Sequence, residues 1–157
     1  MKIAIFGAGQ LAMMMIQADK NSEHDYTVID PSTEPPASLY ANHIQSEYSS
    51  PDTINDICTN YDLVTIDFEN VDVSAMKEIE KHVPVHPNSK ALEICQDRVK
   101  EKELFKSLQI KTAINFKIDS MHDIKKCIDL SKGYILKSRR FGYDGKNQYR
   151  IKPNTKV

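Results

Sequence analysis

Three groups of residues in this 157-residue chain have types and spacings that can do chemistry. The first is Gly7-Ala8-Gly9-Gln10-Leu11-Ala12, which fits G-x-G-x-x-[GA]. Glycine at position 7 permits a tight turn, and glycine at position 9 lets another group approach the backbone. A helix opening there presents free N–H groups and a partial positive charge, which suit a phosphate. Asp30 ends a second apolar run 21 residues after Gly9, where a dinucleotide-binding fold places its ribose-binding acid. Two readings stay open on these residues. One is an NAD-binding Rossmann domain. The other is the tight first turn that any parallel α/β protein needs, with Asp30 starting the turn Asp30-Pro31.

The second group is Asp67, Glu69 and Asn70, at the end of the apolar run in LVTIDFEN. Open α/β sheets bind ligands beyond the carboxyl ends of their strands. An acid and an amide there can hydrogen-bond a hydroxyl or an amine; the plainer alternative is a solvated loop acid and an Asn turn residue. The third group is Lys137, after Tyr134-Ile135-Leu136, followed by Gly142-Tyr143-Asp144-Gly145-Lys146-Asn147-Gln148. A strand lysine is a point charge for phosphate oxygens, and a glycine-containing loop lets backbone N–H groups fold over a polyphosphate. Arg98 can add a second cation. No G-K-[ST] opens a helix, so this is not a Walker A loop. The alternative is an exposed basic hairpin with a type I′ turn at Asp144-Gly145.

The elements that must position these groups follow from apolar spacing. Residues 2–6, 26–29 and 63–68 read as buried strands, with a short strand at 83–85. Helices are expected over 9–18, 54–60 and 73–82, and Met14 and Met15 are expected to pack the first onto the sheet. Residues 31–41, with Pro35-Pro36, read as a loop. This strand–helix alternation is the pattern of a parallel sheet with helices packed on it. Asn88-Ser89 caps one long helix over about 90–108. Then come a strand-like stretch at 113–118, a helix from Ser120 to about Leu130 carrying Ile124, Cys127 and Ile128 on one face, and strands at 134–137 and 148–151.

Composition bounds the classes. Lys and Arg number 21 against 22 Asp and Glu, a net charge of −1, which argues against a nucleic-acid binder working by bulk phosphate neutralisation. No run of about 20 apolar residues is present for a membrane span, and the run at 3–6 is too short for a signal peptide. Cys58, Cys95 and Cys127 form no C-x-x-C pair and read as reduced, mostly buried thiols. The five histidines, His24, His43, His82, His86 and His122, lack ligand spacing and read as surface or turn residues, so no metal site is expected.

GAGQLA, Asp30-Pro31 with an alanine-containing loop, TIDFENV, Gln96-Asp97-Arg98 followed by Lys100-Glu101, and ILKSRRFGYDGKNQ stand in this order in one chain. Together they resemble the N-terminal part of the 5-(carboxyamino)imidazole ribonucleotide synthase family, the ATP-grasp ATPase subunit of phosphoribosylaminoimidazole carboxylase. The resemblance covers essentially the whole chain. FENV, QDR and FGYDGK are its specific parts; the opening glycine turn is not.

The resemblance implies an α/β fold: a Rossmann-like pre-ATP-grasp parallel sheet with helices on both faces over 1–88, a connecting helix and linker over 89–112, and the beginning of an ATP-grasp lid over 113–157. It implies a carbon–nitrogen ligase of purine biosynthesis that converts 5-aminoimidazole ribonucleotide, bicarbonate and ATP to the N5-carboxylated product through carboxyphosphate. By position, Arg98 and Lys137 match the family's ATP-phosphate cations, and Gly142 to Gln148 match the loop that closes over the phosphates. Gln10, Leu11 and Glu69 match positions that hold the aminoimidazole ribonucleotide. No residue is assigned a catalytic role. The Mg2+ ligands and adenine pocket are expected beyond residue 157, so the chain alone is expected to be inactive. A cytoplasmic enzyme, homodimeric at full length, with no nucleic-acid or membrane partner, completes the implied picture. Ala12-Met13 departs from the family's usual Gly followed by Arg or Lys, and Asn147 replaces a usual second loop glycine; Asn tolerates positive φ better than other non-glycine residues. The alternatives are a non-catalytic nucleotide-binding or interaction module and, on the glycine turn alone, the NAD-binding domain.

Overall fold

The computed structural model describes residues 1–127, 129, 131–142 and 145–155. They form two compact units, Met1–Glu93 and Ile94–Val157.

Unit 1 is a five-stranded parallel sheet of order β3-β2-β1-β4-β5. Its strands are β1 (Lys2–Phe6), β2 (Asp25–Asp30), β3 (Asn42–Gln45), β4 (Leu63–Ile66) and β5 (Val85–His86). β1 lies at the centre, which is why its sequence is a continuous apolar run: both faces are covered. Successive side chains alternate across a strand, and two core clusters follow. Ile3 and Ile5 pack with Val28, Ala8, Ala12 and Ile16, under α1 (Gln10–Ala18). Ala4 and Phe6 pack with Val64 of β4 and with Ile57, Met76, Ile79 and Leu92, from α2 (Pro51–Asn60), α3 (Val73–Ile79) and α4 (Ser89–Cys95). Helices therefore cover both faces, as expected.

Several local expectations differ. The contacting stripe of α1 is Ala12 and Ile16, with Met13 against the same cluster. Met14 and Met15 instead point outward, 58 % and 38 % exposed, because the turn at 7–9 sets the helix phase. The loop at 31–41 contains a 3₁₀ turn, Pro36–Leu39, whose Ala37 is buried and donates its N–H to the Ala8 carbonyl at 3.0 Å. Edge strand β3 was not expected, since Asn42-His43-Ile44-Gln45 carries one aliphatic residue and no apolar alternation. β4 ends at Ile66, two residues early, although the Asp67 N–H still donates to the Phe6 carbonyl at 2.8 Å. α3 stops at Ile79 and β5 is Val85–His86. Cys58 and Cys127 are half-buried and Cys95 is exposed, so the thiols are free but less buried than expected.

Unit 2 begins at the end of α4. The single helix expected over 90–108 is two helices, because Asp97 is extended (φ −129°, ψ 105°) and caps α5 (Arg98–Ser107) through the N–H groups of Val99 and Lys100. Residues 113–118 form no strand; they are mostly exposed and pair with no strand among the described residues. Ser120 and Asp123 satisfy each other's N–H at the start of α6 (Met121–Cys127). The expected face residue Ile128 and end residue Leu130 lie outside the described residues. β6 (Tyr134–Lys137) and β7 (Gln148–Ile151) form the expected antiparallel hairpin, with Lys137 opposite Gln148. No helix among the described residues is long and apolar enough to cross a membrane.

Candidate functional site

In unit 1 the glycine turn and the end of β4 are joined by a carboxylate. Asp67 Oδ2 accepts from the Gly9 N–H at 2.6 Å, and Oδ1 accepts from the Ala12 N–H at 2.8 Å. A negative charge at a helix N-terminus is stabilised by the helix dipole. The position that suits a phosphate is thus filled by the protein's own side chain. The glycines make this possible. Gly7 has φ +98°, and a Cβ there would meet the Asp67 Cβ at 2.8 Å and the Phe68 ring at 2.9 Å. A Cβ on Gly9 would stand 2.7 Å from Asp67 Oδ2. The group that approaches the backbone at Gly9 is Asp67.

Asp30 is also engaged. Its Oδ2 accepts from the Ala8 N–H at 3.2 Å and the Tyr48 hydroxyl at 2.9 Å, and its Oδ1 from the Ser32 N–H at 2.9 Å. Burial pushes the Asp30 carboxyl up, but the bonds from Ser32, Tyr48 and Ala8 together hold it below its ordinary value. Burial and the neighbouring Asp30 push the Tyr48 hydroxyl up. Tyr48 in turn packs on Phe68, ring centroids 5.6 Å apart. Asp30 of the dinucleotide-like pattern and Asp67 of the second group therefore both build the turn. Gln10 and Leu11 lie exposed on the first turn of α1, Leu11 at 61 %. Glu69 is exposed two residues beyond Asp67, on the loop that Asp67 pins to that turn. Asn70 is half-buried beside it.

In unit 2 the organising group is Asp97, 2 % exposed. Arg139 donates to it from Nε at 2.8 and 2.9 Å and approaches from Nη2 at 2.7 Å, a forked pair. That guanidinium holds the Asp97 carboxyl down at about 2 against the burial that pushes it up. The Arg98 N–H donates to the Arg139 carbonyl at 3.1 Å, and Arg98 Nη2 donates to the Gly142 carbonyl at 3.2 Å. The loop between β6 and β7 is closed at its neck by Ser138 N–H on the Asn147 carbonyl at 3.0 Å. Asn147 adopts φ +56° and donates its side-chain amide to the Phe141 carbonyl at 3.2 Å. Gly145 has φ +75°. The Ser138 hydroxyl is buried beside Gly142 and has no partner among the described residues. Lys137 is exposed at the end of β6. Tyr143 and Asp144 lie outside the described residues; Lys146 and Gln148 flank Asn147 on the return to β7.

The family model described as the ribonucleotide synthetase preATP-grasp domain matches residues 1–96. The chain belongs to that family. Among its relatives, the bifunctional purine synthesis protein purC/E of Dictyostelium discoideum is 38 % identical over 152 residues, covering 95 % of this chain and 15 % of that protein. The N5-carboxyaminoimidazole ribonucleotide synthase of Pseudomonas aeruginosa is 33 % identical over 149 residues, covering 94 % of this chain and 41 % of the relative. The crystal structure of N5-carboxyaminoimidazole synthetase from Staphylococcus aureus complexed with ADP superposes with a TM-score of 0.91 at 32 % identity, covering 98 % of this chain and 42 % of that one. The chain thus spans about two fifths of the length of its synthase relatives.

As a preATP-grasp domain, unit 1 brings Gln10, Leu11 and the Glu69 loop to one end of the sheet. Unit 2 brings Arg98 to Gly142 and ties both, through Asp97 and Arg139, to the start of α5. Sequence reasoning missed three residues. Asp67, open in the sequence as a ligand-facing acid or a solvated loop acid, is instead bonded to the Gly9 and Ala12 N–H groups. Asp97 was noted only within Gln96-Asp97-Arg98, although Asp before an Arg-Val-Lys-Glu run is a capping signal. Ser138 carried no signal at all. Among the described residues, no group of three or more His, Cys, Asp or Glu converges in a way that could hold a metal ion.

Proposed function

We propose that the chain is the N-terminal part of an ATP-dependent N5-carboxyaminoimidazole ribonucleotide synthase. The overall reaction carboxylates the exocyclic amine of 5-aminoimidazole ribonucleotide. A bicarbonate oxygen attacks the γ-phosphorus of ATP, ADP leaves, and the amine nitrogen then attacks the carbonyl carbon of carboxyphosphate as phosphate departs and the amine loses a proton. Phosphoryl transfer of this kind depends mostly on positioning and charge neutralisation. Residues 1–88 form the preATP-grasp domain, 89–112 the connector and 113–157 the beginning of the lid.

Gln10, Leu11 and Glu69 hold the aminoimidazole ribonucleotide, with the Glu69 carboxylate as acceptor for an amine or hydroxyl. Arg98 and Lys137 supply cations to the ATP phosphates, and Gly142, Tyr143, Asp144, Gly145, Lys146, Asn147 and Gln148 form the loop over them. Mg2+ belongs to the family-level reaction, but the described residues assemble no carboxylate set that fits it, and no step is assigned through it. The enzyme is expected to be cytoplasmic and, at full length, dimeric; the isolated chain is expected not to turn over. The observation that carries this reading is Asp67 in the α1 N-terminus. It occupies the anion position that a dinucleotide pyrophosphate would take at the glycine turn, and it pins the loop that carries Glu69 to the turn that opens α1.

Calorimetric titration of the 157-residue chain tests the assignment. Glu69→Gln should weaken aminoimidazole ribonucleotide and leave ATP unchanged, and Lys137→Met should do the reverse. A chain that binds NADH and neither of these ligands would refute it.

A further inference from the structure

The near-zero net charge of the chain conceals a strong separation. Unit 1, Met1–Glu93, carries 5 Lys and Arg against 15 Asp and Glu, a formal −10. Unit 2, Ile94–Val157, carries 16 against 7, a formal +9. The balance that argued against a nucleic-acid binder is an average over two oppositely charged units. Setting aside Arg98, Lys137 and Lys146, unit 2 still holds 13 cations against 7 acids. Several of those acids are already neutralised within the unit: Asp97 by Arg139, Asp119 by Lys117 and Asp129 by Lys132. The surplus cations are spread over α5, α6 and β7, at Lys106, Lys125, Lys126 and Arg150. Contact with one triphosphate cannot account for cations so dispersed, but a long-range field can. A body of one sign draws in counter-charged ligands and raises their association rate by roughly 10–10³-fold at low ionic strength.

We propose that unit 2 is an electrostatic collector for a polyphosphate ligand, in which cations remote from the loop set the rate of capture and leave the bound state to Arg98, Lys137 and the loop. This rests on the nucleotide reading given above. The acidic unit 1, with Asp67 already seated in its one glycine-turn anion position, presents the opposite field. The positive field of unit 2 directs a polyphosphate to the loop that the same unit carries.

Stopped-flow binding of a fluorescent N-methylanthraniloyl ATP to the whole chain tests this. The triple variant Lys106→Glu, Lys125→Glu, Lys126→Glu takes unit 2 from +9 to +3 without touching the loop. At low salt its association rate constant should fall by about three- to tenfold with dissociation unchanged, and the difference should vanish near 0.5 M salt, where the Debye length is only about 4 Å. The neutral triple with Gln should fall between the two, which guards against a folding defect in the Glu variant. Equal association rates at low salt, or an effect confined to dissociation, would overturn the collector and leave the nucleotide reading standing. Absence of binding by every form would remove both. A single-stranded oligonucleotide that displaces the ATP analogue at equal phosphate concentration would overturn the proposal in favour of a nucleic-acid surface.

Discussion

Replacing Asp67 by Ala removes two hydrogen bonds to the first turn of α1, at 2.6 and 2.8 Å, and the charge that faces the helix dipole. A hydrogen bond to a charged group contributes about 1.5–3 kcal/mol. Asp67 is half-buried, so water can reach the freed N–H groups, and the lower end applies. The expected cost is about 3–4 kcal/mol, the helix-dipole contribution of about 0.3–1 kcal/mol included. A 93-residue unit has an unfolding entropy of roughly 0.2 kcal/mol/K, so its Tm should drop by about 15–20 °C. Thermal unfolding followed by circular dichroism, with the Met1–Glu93 transition fitted separately, reads this directly. A second measurement isolates the anion slot. With the carboxylate gone, Gly9 and Ala12 offer their N–H groups to solution anions. Phosphate at about ten times its dissociation constant should then restore roughly 1.4 kcal/mol, about 7 °C, to the variant. The parent, whose slot is filled, should gain only the general effect of the salt. A Tm within about 2 °C of the parent, or equal phosphate gains in both, would refute the claim that Asp67 fills a phosphate-like position.

Gly9→Ala should destabilise unit 1 even though Gly9 is extended rather than left-handed, because the new Cβ meets Asp67 Oδ2 at 2.7 Å; combining it with Asp67→Ala should cost less than the sum of the two single changes. Asp97 has a depressed carboxyl, so the stability it contributes is complete above the ordinary value near 4 and is lost as pH falls through about 2. Unit 2 of the parent should therefore weaken between about pH 4 and 2 in acid titration, and Asp97→Asn, less stable at neutral pH, should be flatter there. Asn147→Val places a β-branched residue at φ +56° and should cost about 1–3 kcal/mol, whereas Asn147→Gly should keep the turn and lose only the bond to Phe141; hydrogen exchange at Ser138 N–H, which closes the loop, separates the two.

Particular residues show where the sequence sufficed. The run at 3–6 specified a buried strand, because an element apolar on both faces has to be covered on both faces. Tyr134-Ile135-Leu136-Lys137 and Gln148-Tyr149-Arg150-Ile151 specified a hairpin through their flanking glycine loop, and its bounds agree with the structure. Asn147 was legible as a residue tolerant of positive φ. The motif order pointed to the family, and the charge separation could also have been counted directly, once the boundary near residue 93 was known. Other features had no local signature. Strand β3 exists because β2 offers an edge to pair with, although its own residues are polar. The long helix breaks because Asp97 is needed by α5 and by Arg139, 42 residues away.

The same G-x-G-x-x-A that fits a dinucleotide turn fits this one equally, because glycine records only that something must come close. Which group comes close was decided by the pairing of β1 with β4, which carries Asp67 to Gly9 across 58 residues of chain. By itself, the sequence determined the periods, the caps and the positions where a side chain could not stand. Only the tertiary structure decided that the anion at the first turn of α1 is the protein's own carboxylate, because a hydrogen bond between residues so far apart depends on strand order.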